Sequence, residues 1–179
     1  MILTGNAIAH EVQVGNIVIE PFESAGINPN SYNYHLGSVV KTSPHLGLDA
    51  THPEEWICTE IPSAGLVFEP NRVYLGTTIE RIGSDKFVPS LIGRSSLGRL
   101  GVFLQISADL GNLGAFHNWT LEIVVTQPIR LYAGMRCGQV TFWQPEGDIA
   151  LYDGVMARHS DAHESIASAI FQQPVEIIS

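Results

Sequence analysis

Charge is scarce in this chain of 179 residues. Only 15% of its residues are Asp, Glu, Lys or Arg, and nine Lys and Arg face eighteen acids. A net charge of −9 excludes a general attraction for nucleic acid or for an anionic membrane. Any polyphosphate ligand would have to find its positive charge locally. Cysteine is scarce too. Cys58 and Cys137 are far apart and form no CxxC, so no disulfide framework is expected and a reducing, cytoplasmic setting is the simpler reading. No apolar run approaches the roughly 18 residues of a membrane span. Met1 to Phe22 lacks the basic start, apolar core and small-residue cleavage site of a signal peptide. No GxxxxGK[ST], HExxH or cysteine-nucleophile signature occurs.

What is abundant is apolar: hydrophobic residues make up 45%. One domain of this length buries roughly 70% of its unfolded surface and needs no metal or disulfide to hold it. The low charge density also fits an apolar surface covered by partner subunits.

The pattern is mainly β. Thr4 is placed to cap a short helix over Gly5 to Val12, which Gly15 ends. Strands are predicted at 16–20, 31–36, 66–68, 73–75, 77–79, 87–92, 102–106, 119–126, 129–132 and 139–143. Gly and Pro punctuate them at short intervals, which predicts a sandwich or closed barrel. Ser95 to Leu100 reads as one helical turn with a Ser at its cap. Residues 1–179 read as a single domain; Met156 to Phe171 carries a weak helical pattern, and about 156–179 reads as its mobile C-terminal tail.

The densest chemistry is Gly93-Arg94-Ser95-Ser96-Leu97-Gly98-Arg99-Leu100-Gly101. A loop entering a helix offers N–H groups to an anion, and Arg and Ser add charge-assisted bonds. The plainer alternative is a capped surface turn with two solvated arginines. Glu122 lies in Trp119-Thr120-Leu121-Glu122-Ile123-Val124-Val125. Burial of an acid there would raise its pKa toward that of a general base near neutrality. The alternative is an outward residue of an alternating strand. The seven histidines are scattered. His52-Pro53-Glu54 fits the H-x-E of zinc deaminases only formally, because the P-C-x-x-C that completes that site is missing. His159 and His163 form a pair without further ligands.

The chain resembles the dCTP deaminase family of the dCTP deaminase/dUTPase superfamily. The resemblance runs through Gly15 to Phe22, Asn28 to Gly37, Gly93 to Gly101 (similar to GRSSLARLG), Thr120-Leu121-Glu122, Pro128 and Leu131 to Met135. It implies a homotrimer of distorted, jelly-roll-like β-barrels of the dUTPase type, with active sites between subunits. It implies zinc-independent deamination of a cytosine nucleotide, dCTP to dUTP and ammonia, with Glu122 as general base. Ser95, Arg99 and the backbone of Ala108 would hold the water, the base and the glutamate. Arg94, Ser96, Gln105, Asn112, Arg158 and His159 would bind the nucleotide, and Mg²⁺ would travel with its triphosphate.

Four departures from the family pattern carry consequences. Asn112, Leu113 and Ala115 replace an aspartate, a proline and a bulky aromatic at the sugar, which predicts a changed sugar or base preference unless Phe116 or His117 refills the gap. Ile92 stands where an acid precedes the GRSS motif. Arg158-His159 replaces a Lys-Tyr pair, and Ala162 replaces a Gln, in the closing tail. A dUTPase-type diphosphatase, alone or bifunctional, and a non-catalytic nucleotide binder remain as alternatives; the asparagine at 112 counts against a pure dUTPase.

Overall fold

The computed structural model describes residues 1–45, 47–104, 108–153, 165 and 172. The predicted helix is present as α1 (Gly5–Gln13). Thr4 caps it, its hydroxyl accepting from the Ala7 N–H, and Ile8 is fully buried beneath it. Gly15, at φ 79°, then turns the chain away.

Twelve strands follow in chain order, with two α-helices and one 3-10 turn (Ser24–Gly26) in all among the described residues: β1 (Ile17–Glu20), β2 (Ile27–Asn28), β3 (Ser31–His35), β4 (Val39–Thr42), β5 (Ile57–Glu60), β6 (Leu66–Phe68), β7 (Tyr74–Ser84), β8 (Val88–Gly93), α2 (Ser95–Gly98), β9 (Val102–Leu104), β10 (Phe116–Val125), β11 (Ile129–Leu131) and β12 (Arg136–Trp143). The mainly β expectation holds. The described pairings divide among three sheets. One runs β5-β4-β7-β10-β9, with β1 also on β7; one runs β2-β3-β12-β8; and β11 pairs β6.

Several bounds differ from the sequence pattern. The runs 73–75 and 77–79 are one strand, β7, continuous through Gly76, where a side chain would crowd Leu36 and Ile123. β2, β4 and β5 fall where the sequence pattern predicts no strand. β10 and β12 begin three residues earlier than expected, at Phe116 and Arg136. The end of the predicted strand 102–106 lies outside the described residues, as does the 156–179 tail except Ser165 and Gln172.

The core joins the two larger sheets. Tyr32, Tyr34, Phe142, Leu121 and Ile123 are fully buried in it, each contributing about 1.5–3 kcal/mol. β7 lies at the centre, paired with β1, β4 and β10. No helix among the described residues is long and apolar enough to cross a membrane.

Candidate active site

β8, α2, β9 and β10 position most of the predicted site residues. β8 delivers the chain into α2, which is a single turn. Arg94, not a serine, occupies its N-cap, and its side chain makes no capping bond. The cap geometry therefore leaves the hydroxyls of Ser95 and Ser96 at the first two positions of the turn, both exposed. Among the described residues, neither these hydroxyls nor the guanidinium groups of half-buried Arg94 and exposed Arg99 have a hydrogen-bond or ion-pair partner.

The turn is fastened to the far end of β10. Thr126 N–H donates to the Gly101 carbonyl at 2.9 Å, and Gln127 Nε2 to the Leu100 carbonyl at 3.3 Å. Gly101 has φ 80°, and a Cβ there would lie 2.1 Å from Thr126 Oγ1, so only glycine fits this junction.

Glu122 stands on the outer face of β10. Leu121, Ile123 and Val125 turn into the core, whereas Thr120, Glu122 and Val124 are half-buried on the other side. Leu75 of β7 is its direct cross-strand partner and is 7% exposed, so the carboxylate rises beside an apolar floor. From Glu122 to Thr126 the strand runs about 13 Å. Among the described residues, neither Ser95 nor Arg99 bonds to Glu122 within the protomer.

Ala108 and Asn112, both exposed, share the loop that precedes β10. Its backbone is stitched along β8: Leu91 N–H donates to the Asp109 carbonyl and Gly111 N–H to the Pro89 carbonyl, each at 2.8 Å. The Ser90 hydroxyl donates to the Asp109 carboxylate at 3.2 Å. Thus β8 carries the hydroxyl–guanidinium turn at one end and the Ala108–Asn112 loop at the other. Gln105, Arg158 and His159, together with Ala162 and the His159–His163 pair, lie outside the described residues.

The space expected from Ala115 does not open to solvent, since Ala115 is 3% exposed. Phe116 lies under the Arg81 guanidinium, 5.7 Å from ring centre to Cζ, and His117 stacks on Trp119 at 4.2 Å. His52 and Glu54 engage different neighbours: His52 faces Asp49 at 3.2 Å, and Glu54 accepts from Ser43 Oγ at 2.7 Å. Among the described residues, the one buried acid is one that the sequence pattern passes over. Glu80, on β7, is 1% exposed and pairs with His35. Nothing local marks it, because its partner is 45 residues away.

The dCTP deaminase-like family profile matches residues 2–145. This chain belongs to the dCTP deaminase-like family. Among curated relatives, one from Clostridium acetobutylicum named "dCTP deaminase, dUMP-forming" is 43% identical over 152 residues, 85% of this chain and 87% of that one. One from Rhodopirellula baltica named "dCTP deaminase" is 40% identical over 148 residues, 83% of this chain and 74% of that one. The fold matches a crystal structure of 2'-deoxycytidine 5'-triphosphate deaminase from Agrobacterium tumefaciens with a TM-score of 0.64 at 22% identity. That match covers 80% of this chain and 48% of the other. As a member of the dCTP deaminase-like family, the protein is an enzyme of the deaminase type. Every described site residue falls inside the matched span.

Proposed function

We propose that this enzyme deaminates dCTP at C4 of the cytosine ring, with Glu122 as the general base. The single observation that carries this is Glu122, half-buried over Leu75 on β10 within the family span. Water gives a proton to the carboxylate as its oxygen attacks C4. The carboxylate returns that proton to the departing amino group, so one water is consumed and one ammonia released. Ser95, Arg99 and the Ala108 backbone hold the water and base. Arg94 and Ser96 meet the phosphates, Asn112 the sugar, and Gln105, Arg158 and His159 complete the nucleotide contacts. The substrate enters as its Mg²⁺ complex, and no zinc takes part.

The site is completed in a cytoplasmic homotrimer of dUTPase-type barrels. Within one protomer about 13 Å of strand separates Glu122 from the residues that anchor α2, which supports a neighbouring subunit bringing a turn to each Glu122. The name of the Clostridium relative favours a second step, in which water attacks the α-phosphorus of dUTP to give dUMP and pyrophosphate.

Ammonia and pyrophosphate released from dCTP, measured separately, test both steps. Glu122→Gln is expected to lower ammonia release at least roughly 100-fold; undiminished release would overturn the proposal. Pyrophosphate in step with ammonia marks a dUMP-forming enzyme, and ammonia alone a dUTP-forming one. Treatment with a zinc chelator followed by Mg²⁺ is expected to leave the rate unchanged.

A further inference from the structure

Residues directly opposite on paired strands project to the same face. Lys41 and Glu122 both stand opposite Leu75, Thr120 stands opposite Thr77, and Lys41 stands opposite Cys58. All of them therefore share the outer face of the six-stranded sheet. A cavity of about 430 Å³ opens on that face, lined by Lys41, Cys58, Thr77, Ile79, Asn118 and Ser165 among others. Its size is that of a small-molecule site. Thr77 and Glu122 are diagonal neighbours, with Cα atoms roughly 7–8 Å apart, so one pyrimidine nucleotide can reach both.

Thr77 lines the cavity, and its hydroxyl, which is not among the buried atoms, has no hydrogen-bond partner among the described residues. The adjacent Thr78 is satisfied: its hydroxyl accepts from Trp119 N–H at 2.9 Å and donates to the Glu80 carbonyl at 2.7 Å. Gly37 keeps the approach to Thr77 open, since a Cβ there would lie 2.5 Å from Thr77 Oγ1. Lys41, the one cation among the described lining residues, donates to the Ser165 carbonyl at 2.8 Å. With that ammonium engaged, the cavity suits the uncharged end of a nucleotide better than its phosphates.

We infer that this cavity receives the nucleoside end of the substrate and that Thr77 is a specificity-determining residue, its hydroxyl bonding a polar atom of the nucleoside. The inference rests on the proposed dCTP reaction. The hydroxyl opens onto the cavity with no partner among the described residues to displace, so a nucleotide that offers it a polar atom gains one hydrogen bond that a nucleotide without that atom does not.

Binding of dCTP and of inorganic tripolyphosphate to the Glu122→Gln protein provides the test. Thr77→Val is expected to weaken dCTP roughly 3- to 10-fold while leaving tripolyphosphate unchanged, and Thr77→Ser to restore dCTP binding. In the otherwise native enzyme the same valine is expected to raise KM with little change in kcat. Unaltered dCTP affinity in Thr77→Val, or an equal loss for tripolyphosphate, overturns the inference. Native enzyme that neither binds nor turns over dCTP sinks the proposed reaction as well. Normal turnover together with an indifferent valine variant sinks the role of Thr77 alone.

Discussion

His35 Nδ1 lies 2.5 Å from Oε1 of Glu80, and the His35 backbone N–H donates to Oε2 of the same carboxylate at 2.9 Å. The pair ties β3 of the four-stranded sheet to β7 of the six-stranded sheet. A carboxylate as buried as Glu80 persists only when it is paired. Removing the imidazole by His35→Ala leaves one backbone donor and should cost about 1–3 kcal/mol. For a domain of this size that is a Tm lower by roughly 3–10 °C. Glu80→Gln combined with His35→Ala completes a double-mutant cycle. Strictly additive losses would show that the two side chains are not coupled.

Cys137 and Tyr34 make stability alkali-sensitive. Burial, and secondarily the charge of Glu80, pushes the Cys137 thiol up; burial, with Cys137 next, pushes the Tyr34 phenol well up. Both groups stay protonated in the folded chain, while the unfolded chain begins to release those protons near their ordinary values of 9.0 and 10.0. Their contribution is therefore complete below pH 9 and is lost as pH rises, by about 1.4 kcal/mol per pH unit per group. Urea unfolding between pH 7 and 10.5 should show this decline. Cys137→Ala, less stable at neutral pH, should decline more shallowly above pH 9. Parallel curves for the two proteins would place the thiol in contact with water.

Gly101 and Gly98 separate conformational need from mere sequence. At Gly101, φ is 80° and a Cβ would strike Thr126 Oγ1, whereas a Cβ at Gly98 meets nothing within 4 Å. Gly101→Ala should cost at least about 1–2 kcal/mol and depress dCTP turnover, because the α2 turn hangs from this junction. Gly98→Ala, in a helical position, should be neutral or slightly stabilising. Thermal melts of the two variants check the contrast; equal losses would mean that the junction is not constrained.

The β-rich character is legible in the sequence because β-branched runs between glycines have few other conformations to adopt. Gly76 breaks the run of β7 on paper but not in space, where Leu36 and Ile123 fill the volume beside it. The short β4 and β5 carry little pattern of their own and are held by pairing with each other and, for β4, with β7. Glu122 is legible as an acid among apolar neighbours, and the resemblance of its motif is what suggests the role proposed for it. Its position relative to α2 is not, since strand register rather than sequence spacing sets that distance. Glu80 is the reverse case. Its run Thr77-Thr78-Ile79-Glu80-Arg81 suggests an exposed acid, and only the fold brings His35 to it.

Asn112 offers the sharpest test of sugar recognition. Its loop is held by backbone bonds, including Ala115 N–H to the Asn112 carbonyl at 3.3 Å, so its side chain can change without disturbing the fold. Buried Ala115 provides no extra room, and of the other two departures in that loop, Asn112 and Leu113, only exposed Asn112 carries a side chain that can hydrogen-bond a sugar hydroxyl. An amide both donates and accepts, whereas a carboxylate only accepts, and more strongly from a sugar hydroxyl. Asn112→Asp should therefore lower KM for dCTP several-fold, by the excess of a charged over a neutral hydrogen bond, about 1 kcal/mol. It should also raise the kcat/KM ratio of dCTP over CTP, while Tm stays unchanged. A ratio that does not move would place the sugar away from this side chain, since no other property of the loop changes with the substitution.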